Sequence, residues 1–382
     1  MKILILGGDG YLGWPTAMHL SAKGHTVVAA DSYLRRNLCR EIDCQPLYNV
    51  PNLIQRATVY EKITGERIKV YIGDLARWDF MSELFQKFPP DAVVHYAEQP
   101  SAPYSMLNRR AATLTLRNNL DVTSNLIFAI REFAPEAHII KLGTMGEYGT
   151  PNIDIEEGWI EIAHKGRRQK FLYPRQAGSL YHTTKIMDTD LLWFYVRMWN
   201  LRVTDLMQGP VYGMHTSESS ADDQLLPFFN YDEVFGTVIN RFIVQAVAGY
   251  PLTVFGKGGQ TRGYLNIKDT IQCIRLALEK PAEKGELRIF NQFVETFSVN
   301  ELAERVKCVG ENFDLKVQIR SVKNPRKESE EHYYNPAHTG LLDIGLEPHY
   351  LTDDVLAEMV ETVMKHRTKI NSDAIFRGVQ WA

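Results

Sequence analysis

Tyr181 and Lys185 in the segment YHTTK stand four residues apart, the spacing that puts two side chains on one face of a helix. A phenol beside an ammonium is a proton-abstracting pair. The positive charge favours the phenolate and draws the tyrosine below its ordinary value of about 10, so that it can take a hydroxyl proton while hydride leaves the adjoining carbon. Taken alone, the spacing is also that of an ordinary surface contact. Thr144, 37 residues upstream in KLGTMGEYG, closes an apolar run and is followed three residues later by Glu147. A strand-end hydroxyl and a carboxylate so placed can hold a reacting group and take a proton from it. Between them Met145 offers a soft, uncharged thioether that cannot donate a proton, with core packing as its plainer role. His182 adjoins Tyr181 and titrates in the useful range, though it points about 100° around the helix from it.

A second constellation opens the chain. In MKILILGGDGYLG, Gly7, Gly10 and Gly13, with Tyr11 among them, follow an apolar run and precede a helical pattern. That spacing lets backbone turn tightly and approach a pyrophosphate at a helix N-terminus. A second apolar run ends at Asp31, 18 residues beyond Gly13, close to the ~20 expected of a ribose-binding acid. Its carboxylate accepts the ribose hydroxyls and repels a 2′-phosphate, which favours NAD over NADP, while Arg35 and Arg36 blunt that preference. Asp74 and Leu75, in GDL after a third run, sit where a carboxylate can receive the adenine amine.

These residues need a scaffold. Short apolar runs (ILIL, TVVAA, KVYIGD, AVVHYAE, HIIKLGT, RVTDLMQ) alternate with helix-length amphipathic segments, the pattern of βαβ units and a doubly wound parallel sheet. The expected fold is α/β: a Rossmann-type domain over 1–207, with some later segments returning to it, and a smaller α/β substrate lobe over 208–382. The segment from Gly209 to about Asn230 reads as a long loop, TVFGKGGQTRGY as a turn region, and helices are expected near Val234–Gly249, Ile267–Glu279 and Asp353–Lys369.

Composition narrows the partners. A net charge of −3, with both signs mixed along 382 residues, gives no footprint for nucleic acid or a membrane surface, and no run reaches the ~18 apolar residues of a membrane helix. The four cysteines lack a CxxC pair and the eleven histidines are scattered, so neither a disulfide framework nor a metal site is expected. The first residues enter a strand pattern directly, which predicts a cytoplasmic protein.

With the glycine pattern, Asp31, Thr144, Tyr181 and Lys185 in place, the chain resembles the extended short-chain dehydrogenase/reductases that act on nucleotide sugars. Longer strings resemble the UDP-sulfoquinovose synthase family across nearly the whole chain: EQPSAPYSM, LGTMGEYGTPNIDIEEG, MQGPVYG, VFGKGGQTRGYL, FNQFVETFSVNELA and NPRKESEEHYYNPAHTGLLDIGLEPHYL. The resemblance implies tightly held, recycled NAD, and conversion of UDP-glucose and sulfite to UDP-6-sulfoquinovose through a 4-keto-5,6-ene. Sulfite arriving free or from a delivering protein remains open, and a homodimer is implied. It assigns Thr144, Tyr181 and Lys185 to catalysis, with Glu147 our candidate base at C5 and His182 a candidate proton donor. Met145 replaces the acid of the Thr-Asp-Glu run in related 4,6-dehydratases. Asp31, Arg35, Asp74, Leu75 and Asn118 go to the cofactor, and Gln208, Asn240, Arg241, Thr253, Phe255, Arg262 and Arg326 to the UDP-sugar. One departure stands out: Pro100 occupies the place of the family's arginine after Glu-Gln. Competing expectations are a UDP-glucose 4-epimerase or 4,6-dehydratase, and a non-catalytic NAD-sensing regulator, which can dispense with the Tyr–Lys pair that this chain keeps.

Overall fold

The computed structural model describes residues 1–325, 332–377 and 379. The apolar runs of the first half form β1 (Lys2–Leu6), β2 (Thr26–Asp31), β3 (Lys69–Ile72), β4 (Ala92–His95) and β5 (His138–Thr144). A hairpin of β6 (Trp159–His164) and β7 (Arg167–Leu172) follows, then β8 (Arg202–Gln208) and the short β9 (Val211–Tyr212). The remaining strands are β10 (Leu252–Phe255), β11 (Thr261–Asn266), β12 (Leu287–Gln292), β13 (Glu295–Ser298) and β14 (Ile319–Val322).

Seven strands make one sheet in the order β12-β8-β5-β4-β1-β2-β3, with every pairing parallel. The interior residues of β1 and β4 are buried on both faces, which is why their sequences run apolar without alternation. The strand order reverses between β1 and its neighbours β2 and β4, so the carboxyl ends there border a crevice, the usual ligand position in such sheets. Register then sets the site. Thr144 lies beside Gln208, Gln208 beside Gln292, and Lys141 beside Asp205.

Two long helices, Arg109–Phe133 and Leu180–Trp199, pack against each other on one side of the sheet. Each starts where a polar side chain takes an orphan amide: Asn108 accepts from the Ala111 N–H at 2.9 Å and Ser179 Oγ from the His182 N–H at 3.2 Å. The second of these caps starts the helix that carries Tyr181 and Lys185, one turn apart and both buried.

In the smaller lobe the Val238–Ala248, Val299–Glu311 and Asp353–Lys365 helices enclose a core that includes Phe242, Ile243, Val306 and Met359, against β10 paired in parallel with β14. β9, β11 and β13 form a separate ribbon. The expected helix near Val234–Gly249 starts only at Val238, because Asp232 Oδ1 accepts from the Val234 and Phe235 amides and bends that segment into a turn. TVFGKGGQTRGY is two strand segments joined by a turn, and Gly209–Asn230 is mostly loop with β9 and two 3-10 turns inside it. The helix expected near Asp353–Lys369 as the last ends at Lys365, and a 3-10 turn, Arg367–Lys369, and a short helix, Ser372–Ile375, follow it. The β6–β7 hairpin carries no alternating pattern because both its strands are largely exposed. Among the described residues no helix is long and apolar enough to cross a membrane.

Candidate functional site

One cavity of about 510 Å³ runs along the carboxyl ends of the sheet strands and beneath the smaller lobe. Gly7, Gly10, Tyr11 and Gly13 line its nucleotide end. A Cβ on Gly13 would stand 2.1 Å from the Gly7 carbonyl oxygen, so only glycine lets the loop close on itself before the Gly13–Ala22 helix. That helix begins with no side-chain cap and no acid in its first turn; the Trp14 N–H meets the Gly10 carbonyl at 3.4 Å and Pro15 has none, so the amides at Leu12 and Gly13 are the ones left for an anion.

Asp31 lines the same end, with Oδ2 accepting from the Asp9 N–H at 2.9 Å and Oδ1 from the Tyr33 N–H at 2.6 Å. Burial, then the nearby Asp9 charge, push its carboxyl up to about 6, so at neutral pH it is ionised and ready for hydroxyl donors. Asp74, Leu75 and Asn118 join it in the wall. Arg35 lines the cavity too, stacked 3.7 Å over the Phe235 ring with Nη2 donating to Asn230 at 2.9 Å. Arg36, expected to act with it, turns away. Its guanidinium grips Asp9 at 2.5 and 3.0 Å, and the buried Arg56 holds the same carboxylate at 2.6 Å. Uncapped amides, a glycine-only loop and an ionised acid at the second strand end suit a dinucleotide with a free ribose diol.

At the reacting end, Thr144 leads into a single 3-10 turn, Met145–Glu147. Thr144 Oγ1 accepts from the Gly146 N–H at 3.2 Å and Glu147 Oε1 from the Thr144 N–H at 3.3 Å, a reciprocal capping box. That geometry decides which side chains meet the cavity: Thr144, Met145 and Gly146 line it, and Glu147 does not. Glu147 turns inward at 0% exposure, 3.4 Å from the Lys141 Nζ and 3.4 Å from Arg175 Nη1. The expected base is thus spent on a buried ion cluster, because the capping box needs its carboxylate on the protein side of the turn.

Where a side chain at 146 would project, an imidazole stands instead. A Cβ on Gly146 would be 2.4 Å from His182 Nε2. His182 and Tyr181 both line the cavity, ring centroids 5.2 Å apart, so the 100° between them does not separate them. Lys185 is held at Nζ by Glu98 Oε1 at 2.5 Å and by the Leu142 carbonyl. Tyr181 departs from the expectation of a lowered phenol. Burial, then the charges of Glu98 and Glu147, push it well above its ordinary value, with Lys141 opposing. The Lys185 ammonium is matched by a carboxylate here, so it gives the phenolate little net help.

Across the cavity the smaller lobe contributes Asn240, Arg241, Phe255 and Arg262, and Gln208 enters from the end of β8. Arg241 lies 4.7 Å over the Phe255 ring and donates to the Thr253 carbonyl at 3.1 Å. Thr253 does not reach the cavity: its Oγ1 accepts from Gln245 at 2.8 Å, so it braces Arg241 from behind. Arg326 lies outside the described residues. Pro100 is in the wall. Sequence reasoning missed Glu98, Glu233 and Tyr334, which also line the cavity. Glu98 was within reach of the rule that found Thr144, since it follows the end of β4 as Thr144 ends β5. Tyr334 comes from far along the chain and carries no such signal.

Residues 3–291 match the model of the family described as NAD dependent epimerase/dehydratase. A UDP-sulfoquinovose synthase described as chloroplastic, from Spinacia oleracea, is 47% identical over 380 residues, covering 100% of this chain and 79% of that protein. A UDP-sulfoquinovose synthase from Sulfolobus acidocaldarius is 44% identical over 371 residues, covering 97% and 94%. Among solved structures, UDP-glucose 4-epimerase from Bifidobacterium longum in complex with NAD+ and UDP superposes with a TM-score of 0.72 at 18% identity, over 97% of this chain and 100% of that one, a likeness of fold. The chain belongs to the NAD dependent epimerase/dehydratase family, and within it to the UDP-sulfoquinovose synthases.

Proposed function

We propose that this protein is a UDP-sulfoquinovose synthase, joining sulfite to C6 of UDP-glucose with NAD as a recycled cofactor. The observation that carries the reading is the near-full-length identity to two synthases. A cavity that brings a dinucleotide-type loop, Thr144, Tyr181 and the arginines of the smaller lobe together, with Lys185 buried one helical turn behind Tyr181, supports it.

NAD, when bound, would supply the hydride acceptor for C4 and the source of the hydride that restores it. The chain's residues handle the protons and charges. Tyr181 takes the proton from the 4-hydroxyl, and Thr144 Oγ1 and the Lys185 ammonium hold the charge that develops on that oxygen. The resulting 4-keto group acidifies the C5 hydrogen. With Glu147 turned into the protein, His182 becomes our candidate for removing that hydrogen and for protonating the departing 6-hydroxyl. Met145 keeps this stretch of wall free of a carboxylate, so sulfite meets no fixed negative charge there as it adds to C6. C5 is then reprotonated and C4 reduced.

Arg241 and Arg262 are the groups we assign to the diphosphate, and Asn240 and Gln208 to the uracil and sugar side. A homodimer belongs to the same reading, supported by Phe128, Met187, Phe194 and Met198, which stand exposed on the two adjoining long helices. A cytoplasmic location suits the four unpaired cysteines. The test is direct: protein incubated with UDP-glucose and sulfite should release a UDP-sugar carrying a C6 sulfonate by mass spectrometry. Unchanged UDP-glucose or its C4 epimer alone would sink the assignment.

A further inference from the structure

Glu98 follows the end of β4 and lines the cavity wall, its side chain 3% exposed. Oε1 meets the Lys185 ammonium at 2.5 Å, with His95 Nε2 3.6 Å from the same oxygen. Oε2 is buried and has no hydrogen-bond partner among the described residues. Tyr181, Lys185 and Asp188 fall at i, i+4 and i+7 of one helix, on one buried face. Burial, then the Glu98 charge, push the Asp188 carboxyl well above its ordinary value, with Lys185 and Lys141 opposing.

We propose that Glu98 is a positioning residue of the catalytic pair, holding the Lys185 ammonium in place and through it governing the protonation of Tyr181 in the redox step. The proposal rests on the roles given to Tyr181 and Lys185 above. An ammonium taken out of water gives up its proton unless a carboxylate faces it, and Glu98 is that carboxylate. Other groups face the pair from every side. His95, at the end of β4, is kept neutral by burial and by the two lysines. Lys141, on β5, is balanced by Asp205 at 3.1 Å and Glu147 at 3.4 Å. Asp188, on the pair's own helix, is held well above its ordinary value by burial. Glu98 is therefore the charge whose removal alters the pair most directly.

Glu98→Gln keeps the side chain's shape and an acceptor oxygen while deleting the charge. Losing a negative neighbour lowers the titration of Tyr181, whose rise Glu98 adds to after burial. The limb of the kcat profile against pH that Tyr181 sets should then move to lower pH, on the order of 1 unit. The KM for UDP-glucose should stay within about 2-fold while kcat falls by about 10-fold or more. In cofactor-free protein, modification of Lys185 by a small amine-acylating reagent, read by peptide mass spectrometry, should quicken at a given pH. Glu98→Asp, which keeps the charge, should leave the limbs where they are. Superimposable profiles and labelling rates for the Gln variant overturn the proposal, as does a loss of kcat with unmoved limbs and a lowered melting temperature. If the wild type makes no sulfonated sugar, the functional reading fails, while the labelling rates still decide whether Glu98 holds Lys185.

Discussion

Changing Glu147 to glutamine separates two roles for that carboxylate. Glutamine retains an oxygen to accept the Thr144 N–H, but removes the negative charge between Lys141 and Arg175. Neutralising one partner of a buried ion pair costs about 3–5 kcal/mol. Lys141 keeps Asp205 at 3.1 Å and Thr189 Oγ1 at 2.6 Å, so the cost belongs at the lower end, about 3 kcal/mol. At about 2 °C per kcal/mol for a large domain, the melting temperature should fall by about 6 °C. Calorimetry reads that fall, and reaction in deuterium oxide reads the chemistry. A carboxylate that only holds the turn leaves C5 labelling intact in the variant, with kcat lowered on the order of tenfold as Thr144 shifts. A carboxylate that removes the C5 hydrogen abolishes labelling when neutralised. A variant that melts like the wild type and places no deuterium at C5 would refute the inward-facing role.

Three other outcomes are expected. Asp31 is raised to about 6 from 3.8, so its contribution to the stability of the cofactor-free fold is full below 3.8 and is lost as pH rises through 6. NAD binding runs the opposite way: its Kd, by titration calorimetry, should climb up to tenfold per unit as pH falls below 6 and the acceptor is protonated, and a flat Kd would exclude Asp31 as the ribose acceptor. Gly146→Ala pushes the His182 ring from its place, so kcat should drop at least tenfold in a folded protein; an unchanged kcat would remove His182 from the elimination step. Phe194→Glu puts a charge on an exposed apolar helix face, and light scattering should then show a monomer; a wild-type protein that is itself monomeric would end the homodimer reading.

Local spacing made the sheet legible. Six apolar runs became six strands of the large sheet; the inner ones, buried on both faces, declare themselves without help from distant residues, while β3 at the edge is only partly buried. The Tyr181–Lys185 spacing held for the same reason, since one helix face is a local fact. Long-range pairing was less visible. β12 joins the sheet beside β8 after an interval of 78 residues, and nothing in its own letters says which strand it will meet. Glu147 shows a finer limit. A Thr and a Glu three apart look identical whether the acid faces a ligand or caps its own turn, and only the 3.3 Å bond to the Thr144 amide tells them apart. The raised Tyr181 likewise depends on burial in the fold and then on Glu98, 83 positions away in the chain.

The placement of β12 also bears on how the two halves of the molecule are tied. The chain leaves the large sheet after β8, builds part of the smaller lobe, and returns to lay β12 along the strand it had just left. β13 then follows β12 at once and pairs with β11, back in the lobe ribbon. The two halves are thus stitched by several crossings at one edge, with the exits from β8 and β12 side by side at Gln208, which lines the cavity, and Gln292. A cut in a single connection leaves the others to keep the walls in register, so nicking the loop between β8 and the Val238–Ala248 helix should not release a free lobe.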